Sequence, residues 1–322
     1  MTNPDERIVL VTGGAGFIGS NYLNYAVREH PTYKFVNVDA LTYAADPGNL
    51  EVSDARNYAF EQADIRDKTS LTALFEKHRP THVIHFAAES HVDASIKSPD
   101  IFIETNVLGT HNLLVLAKGS GVKRFHHIST DEVYGSLGKE DVPVKESAPI
   151  LPNSPYSASK ASSDLLVRAY QRTFGLDTVI SRSSNAYGPR QYEEKIIPLF
   201  LKNLLTGKKV PLYGDGANMR EWLYVDDLVK GIDLTFHAGH AGEIYNLGAS
   251  VSLSNLELTK KILGRLGLDE SRIERVPDRS GHDFRYAIDS SKAKQELGWE
   301  PVITIEEGLT RTIDYYRKKF GA

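Results

Sequence analysis

Ile8-Val-Leu-Val-Thr12 runs directly into Gly13-Gly-Ala-Gly16-Phe-Ile-Gly19, and this stretch decides the fold. Its first residues are apolar and β-branched, as in a buried strand. From Phe17 to Glu29 the apolar residues recur at helical spacing. Strand, glycine loop and helix in that order open a doubly wound sheet. Glycine lets the backbone approach a pyrophosphate closely, and a helix N-terminus favours the negative charge. The spacing is G-x-x-G-x-x-G, not the commoner G-x-G-x-x-G. A structural turn is the plain alternative. The flanking strand and helix favour a dinucleotide loop.

Working outward, the same alternation continues. Strands are expected at Phe35–Asp39, from Tyr58 to near Asp64, at Thr81–Ala87, Arg124–Ser129 and Asp177–Arg182. Helices are expected at Lys68–Arg79, Ile101–Ser120 and Tyr156–Phe174, with a loop from Gly135 to Pro155. Strands alternating with helices predict an α/β fold, a Rossmann-like doubly wound parallel sheet. Past Arg182 the pattern changes to Gly- and Pro-rich loops, with helices at Ile196–Thr206, Ser254–Leu266 and Ile305–Phe320. We therefore expect a nucleotide domain over residues 1–182, with a return segment near 222–248. A smaller mixed α/β substrate lobe is expected over 183–322.

The chain has 322 residues, 41% hydrophobic and 25% charged, as in ordinary globular proteins. A net charge of -4, with Lys and Arg dispersed, argues against a nucleic-acid face. There is no cysteine, which excludes disulfides and thiolate catalysis and fits a reducing compartment. No apolar run approaches the roughly 18 residues of a membrane span. The N-terminus carries no signal-peptide core, so the expectation is a cytoplasmic protein. His85, His91, His126 and His127 lack metal-ligand spacing, and no metal is expected.

Asp39 ends the second strand about 20 residues beyond the loop, where an acid binds ribose hydroxyls and repels a 2′-phosphate. NAD is thus favoured over NADP; a turn-forming Asp is the bland alternative. Tyr156 and Lys160 lie four apart and share a helix face. A nearby ammonium, with the nicotinamide cation, is expected to lower the phenol's pKa so that it can take a hydroxyl proton. Ser129-Thr130-Asp131-Glu132 follows a strand end, where ligands bind in such sheets. Two adjacent acids in an enclosed site can split in pKa, giving one acid and one base. The alternative is a helix start bearing a cap and two acids.

These residues resemble the extended short-chain dehydrogenases/reductases, and most closely the dTDP-glucose 4,6-dehydratase family. The resemblance spans almost the whole chain. It rests on residues 12–19, Asp39-Ala-Leu-Thr-Tyr43, Phe86-Ala-Ala-Glu-Ser-His-Val-Asp93, Thr105-Asn-Val107, residues 129–135, Pro155-Tyr-Ser-Ala-Ser-Lys160, Glu194-Lys195 and Asp278-Arg-Ser-Gly-His282. It implies NAD as cofactor and a nucleotide-sugar substrate. Tyr156 would take the C4 hydroxyl proton, aided by Lys160 and Thr130. Glu132 would be the C5 base and Asp131 the acid for the C6 hydroxyl.

Further residues follow from the resemblance alone. Gly13, Gly16, Phe17, Ile18, Gly19, Asp39, Leu41 and Thr42 would hold the cofactor, with Asp64, Ile65, Ala87, Ala88, Ser90 and Asn106. Ser90, His91, Asn185, Lys195, Ile196 and Pro211 would meet the substrate, with Tyr213, Arg220, Asn255, Arg279 and His282. Arg220 is expected as a phosphate fork, and Tyr213 as a base-stacking ring or a core residue. A homodimer through the Tyr156 helix and the long helix before it is also implied. One departure stands out. The family commonly reads Asn-Asn-Tyr-Gly-Pro-Tyr where this chain has Asn185-Ala-Tyr-Gly-Pro-Arg190. This leaves dTDP-glucose and UDP-glucose both open as substrates. A 4-epimerase or decarboxylase of the same fold would need no acid pair beside Tyr156. A non-catalytic NAD-binding sensor would need none of the cluster.

Overall fold

The computed structural model describes residues 7–278 and 281–321. The first half places β1 (Ile8–Thr12), α1 (Phe17–Glu29), β2 (Lys34–Asp39), β3 (Tyr58–Gln62), α2 (Lys68–His78) and β4 (His82–His85). Next come α3 (Val92–Lys97), α4 (Asp100–Phe102), α5 (Thr110–Gly119), β5 (Arg124–Thr130), α6 (Pro155–Phe174) and β6 (Thr178–Ser183). The remainder holds β7 (Asn185–Tyr187), α7 (Ile196–Leu205), β8 (Val210–Tyr213), β9 (Met219–Tyr224), α8 (Val225–Ala238) and β10 (Ile244–Leu247). It ends with β11 (Ser252–Ser254), α9 (Asn255–Leu266), β12 (Ile273–Val276), α10 (Ser291–Leu297) and α11 (Ile305–Phe320).

The main sheet has seven strands in the order β10-β6-β5-β4-β1-β2-β3. All of its pairings are parallel. The order reverses between β1 and β4, so the crevice at their carboxyl ends is the expected ligand site. One apolar layer packs α1 and α8 on the sheet; the other packs α2, α5 and α6. A separate cluster joins α7, α9 and α11 to β8 and β9. The short strands β7, β9 and β11 form a three-stranded sheet, and β8 pairs with β12.

Local chemistry explains the elements that carry the crevice. Gly13 adopts φ +73°, and a Cβ there would lie 2.6 Å from the Ala87 backbone nitrogen. The loop after β1 therefore touches the end of β4 through main chain, which only glycine permits. Helix α6 starts with a Ser154–Ser157 capping box and Pro155, and ends at left-handed Gly175. Tyr156, Lys160 and Asp164 fall on its buried face at four-residue steps.

The helix expected from Ile101 to Ser120 is interrupted. Ile103–Gly109 forms a π-helical segment between α4 and α5. There the Asn106 carbonyl accepts from both Thr110 Oγ1 and Ser163 Oγ, each at 2.6 Å. The wider turn serves these two hydroxyls and aims Asn106 inward, in keeping with the functional bias of π-bulges.

Two glycines of the loop differ in what they require. At Gly19 an added Cβ would sit 2.3 Å from Gly13 O and 2.8 Å from Gly14 Cα, both backbone; at Gly16 it would meet only Gly13 O, at 3.3 Å. Thermal denaturation is expected to show Gly19→Ala losing about 1–3 kcal/mol to overpacking. Gly16→Ala should stay within about 0.5 kcal/mol of the parent.

Candidate active site

Glycine loop, β4 end, β5 end and the first turn of α6 enclose a cleft of about 320 Å³. The carboxyl ends of the parallel strands aim their following residues at one place, so distant sequence segments meet there. On the loop side, Gly13, Gly16, Phe17, Ile18 and Gly19 line it. Asp39 accepts from Ala15 N at 2.9 Å and from Leu41 N at 2.8 Å, tying the loop to the end of β2. Burial raises the Asp39 carboxyl against the lowering effect of these two amides. Leu41 itself lies outside the lining, while Thr42 is part of it. Asp64, Ile65, Ala87, Ala88 and Ser90 complete this half. A fork of Arg66 nitrogens grips Asp64, at 2.9 Å from Nε and 2.6 Å from Nη2, and holds its carboxyl low.

Asn106 does not reach the cleft. Its carboxamide bonds Glu89 N at 2.8 Å, Glu89 O at 3.0 Å and Ser159 Oγ at 2.8 Å. It thus pins the segment after β4 to α6 and acts behind the lining.

The expected reactive residues come together in the cleft. Thr130 ends β5 and caps a 3₁₀ turn over Asp131–Tyr134, accepting from Glu132 N at 3.3 Å. Thr130, Asp131, Glu132, Tyr156 and Lys160 all line the cleft. Burial, then the charges of Glu132 and Glu221, lifts the Asp131 carboxyl well above the usual carboxylate range. That favours its protonated form. Glu221 on β9 is itself buried and pushed up to about 7. Lys160 donates to Ile128 O at 2.7 Å, and burial pulls its ammonium down to about 8. The lowering expected for Tyr156 rests on the nicotinamide cation as well as on Lys160; from the protein's own groups, burial and then Glu132 and Asp131 push its phenol well up, with a hydrogen bond from Thr130 opposing. The Lys160 ammonium faces the Ile128 carbonyl.

The substrate side is more divided. Asn185 and Lys195 line the cleft, and Lys195 donates to Ser90 O at 2.8 Å. His91 stands 3.9 Å from Glu194, just behind the lining. Ile196 begins α7 outside the lining, and Pro211 lies on β8 in register with Glu274. Tyr213 contacts Asp93 at 3.4 Å and meets His282 edge-on at 6.2 Å. His282 in turn pairs with Asp278 at 2.6 Å. These form an outer group beyond the cleft.

Arg220 does not line the cleft. Its guanidinium donates to Met219 O, Phe284 O and Asp283 O at 2.7, 3.3 and 3.0 Å, and stacks 4.4 Å above Tyr286. Backbone carbonyls thus fix the orientation of this fork, and its charge still opposes the rise that burial imposes on the nearby Asp131 carboxyl. Asn255 starts α9 with its main chain bonded to Asn218 O, away from the cleft. Arg279 lies outside the described residues. Arg190 also points away: it binds Asn21 Oδ1 at 2.7 Å and Glu51.

Three cleft residues, Ser129, Ser184 and Gln191, were missed. With the expected Asp131 and Asn185 they present Ser129 Oγ, Asp131 Oδ2, Ser184 Oγ, Asn185 Oδ1 and Gln191 Oε1 buried without a hydrogen-bond partner. All five residues line the cleft. Buried polar atoms are normally satisfied, so such a set marks a polar ligand's seat. With the bare glycine backbone and Asp39, it fits a dinucleotide. Position after a parallel strand's carboxyl end was the signal that could have identified Ser184 and Gln191.

The buried histidines are structural. His85 bonds Thr12 and Thr110 hydroxyls at 2.7 and 2.9 Å, and His126 bonds Ser181 at 2.8 Å. Burial pushes both rings down to about 3, so they are neutral. Among the described residues, His30, Asp233 and His237 make one group with metal-like proximity. It sits at the C-terminal end of α1 and on α8, away from the cleft, and its atoms bond one another and Tyr22 and Tyr33.

Comparison with known proteins agrees with this geometry. The family described as GDP-mannose 4,6 dehydratase matches residues 10–312. The chain is 49% identical to the dTDP-glucose 4,6-dehydratase of Streptomyces antibioticus, over 96% of this chain and 92% of that protein. It is 47% identical to the same-named protein of Neisseria meningitidis, over 96% and 93%. Its fold matches dTDP-glucose 4,6-dehydratase from Streptomyces venezuelae, solved with NAD and a dTDP ligand bound. That match has a TM-score of 0.93 at 48% identity and covers 98% of each chain. With glycine loop, Tyr–Lys pair and acid pair gathered on one sheet edge, the chain belongs to the dTDP-glucose 4,6-dehydratase family of extended short-chain dehydrogenases/reductases.

Proposed function

We propose that this chain is an NAD-dependent hydro-lyase that converts dTDP-glucose to its 4-keto-6-deoxy sugar. The observation that carries the reading is the acid pair, Asp131 and Glu132, in the same cleft as Tyr156 and Lys160. An epimerase or decarboxylase has no need of that pair, and a sensor has no need of any of the four.

NAD, when bound, takes a hydride from C4 of the sugar and returns it to C6. Tyr156 accepts the C4 hydroxyl proton as that hydride leaves, with Thr130 hydrogen-bonded to the same oxygen. The new ketone acidifies the neighbouring C5 proton, and Glu132 removes it. Asp131, kept protonated by burial and by its acidic neighbours, gives its proton to the departing C6 hydroxyl. Water leaves, and Glu132 returns a proton to C5 as C6 is reduced. Oxidation and reduction cancel, so no external reductant is consumed. Asp39 would hold the adenosine ribose, and Asn185 and Lys195 would contact the sugar nucleotide.

We also propose a homodimer. Ile96, Ile103, Leu108 and Leu165 are about half exposed, at 45%, 47%, 54% and 53%. They lie on α3, the π segment and α6, which supports pairing through these helices. No described helix is long and apolar enough to cross a membrane. With the cysteine-free composition, this supports placing the reaction in the cytoplasm.

The primary test is incubation with dTDP-glucose and analysis by NMR. A 4-keto-6-deoxy product without added reductant is expected; an epimer alone would refute the reading. Glu132→Gln should retain C4 oxidation but lower turnover by about 10²–10⁴-fold, with solvent deuterium no longer entering C5. The Lys160 ammonium loses its proton as pH rises through about 8. Hydride transfer measured by stopped flow should therefore fall above that pH. Leu108→Glu combined with Leu165→Glu should shift the light-scattering mass from two copies to one.

A further inference from the structure

Arg182 is among the largest fully buried side chains in the protein, yet it does not line the cleft. It lies on β6, in register with Ser129 of β5 and Asn246 of β10. Its Nε donates to Asp164 Oδ2 at 2.8 Å, with both side chains almost wholly buried. Asp164 stands one helical turn beyond Lys160 and two beyond Tyr156 on the inner face of α6. On its other side the Arg182 guanidinium lies 4.7 Å from the ring of Tyr134. Tyr134 is the last residue of the turn that begins with Asp131 and Glu132. Its hydroxyl donates to Asn246 Oδ1 at 2.8 Å. One buried cation thus touches both the helix that carries Tyr156 and Lys160 and the turn that carries the acid and the base.

We propose that Arg182 is a positioning residue that fixes the acid–base turn against the Tyr156–Lys160 helix, so that water elimination follows C4 oxidation in one site. The inference rests on the dehydratase reading above. Helix α6 has other anchors: Lys160 on Ile128 O, Ser163 on Asn106 O and its capping box. The turn spans only Asp131–Tyr134; Val133 is buried beside Ala161 and accepts from Leu151 N at 3.0 Å, and Arg182 and Asn246 hold the Tyr134 end. Loss of the Arg182 contact should therefore displace the acids more than Tyr156. A misplacement of about 1 Å can cost about 10²-fold in a step that depends on orientation. Elimination should slow while oxidation persists.

Deleting one charge of a buried pair leaves its partner unpaired and threatens folding. The test therefore uses Tyr134→Leu, which removes the ring, Tyr134→Phe, which keeps it, and the paired apolar change Asp164→Leu with Arg182→Met. Each holoenzyme is mixed with dTDP-glucose. Bound NADH absorbance, deuterium entry at C5 and product formation are followed, with melting curves to confirm folding. The expected result is a severalfold larger steady-state fraction of NADH and about 10-fold or greater loss of kcat in Tyr134→Leu and in the double variant, with KM little changed. Tyr134→Phe should behave as the parent. If the double variant does not fold, the Leu and Phe variants decide between them. The Tyr134 hydroxyl also bonds Arg182, so equal loss in Leu and Phe overturns the role of Arg182 when Asn246→Ala reproduces it, which places the anchor in the hydroxyl bond to Asn246. Folded variants with an unchanged NADH fraction would overturn it as well. Failure of the unaltered enzyme to turn over dTDP-glucose would instead overturn the dehydratase reading, and this inference with it.

Discussion

The contact of Gly13 with the Ala87 backbone is the constraint from which the site follows. It closes β1 onto β4 through main chain where the sheet reverses its order. With no side chain between them, the ends of β1, β4, β5 and β6 form one continuous edge. Asp39 then fixes the loop from the other side through Ala15 and Leu41. The first turn of α1, the acid–base turn and the start of α6 all open toward the same edge. A bulkier residue at 13 would separate the loop from the rest of the site.

The site separates its ionisable groups by environment more than by identity. Asp131 and Glu132 are adjacent in sequence, yet Asp131 is buried and feels both Glu132 and Glu221. Burial makes the protonated acid the stable form, which suits a donor. Tyr156 sits in the same low-dielectric space, where burial and the Glu132 charge oppose its ionisation. Lys160, facing a carbonyl, moves the other way. In the proposed reaction Tyr156 accepts the sugar proton only as the tyrosinate, and the charges that favour this form are the Lys160 ammonium and the nicotinamide cation of bound NAD.

Much of this was legible in the sequence because its signals are local. The strand, loop and helix around Gly13 follow from apolar runs and glycine, and α1 and α11 carry periodicity up to their ends. Tyr156 and Lys160 share a face by helical arithmetic alone. What was not legible depends on distant partners. The π segment exists because Asn106 O meets Ser163 from another helix. Strands as short as β7 and β11, three residues each, are stable only through pairing with β9. The carbonyls of Asp283 and Phe284 that orient Arg220 come from more than 60 residues away and left no local signal. Ser184 and Gln191 carry no motif; their partnerless atoms became visible only when the strands were aligned.

Arg190 adopts a left-handed φ of 72° and reaches from the loop after β7 to Asn21 on α1 and to Glu51. In the family pattern this position looks diagnostic, since an aromatic residue commonly stands there. Here it ties the loop after β7 to the first helix and to the segment before β3. The residue works as a clasp between stretches of chain 139 and 169 positions apart. Ala186, by contrast, does line the cleft, and its carbonyl holds the Gln191 amide there.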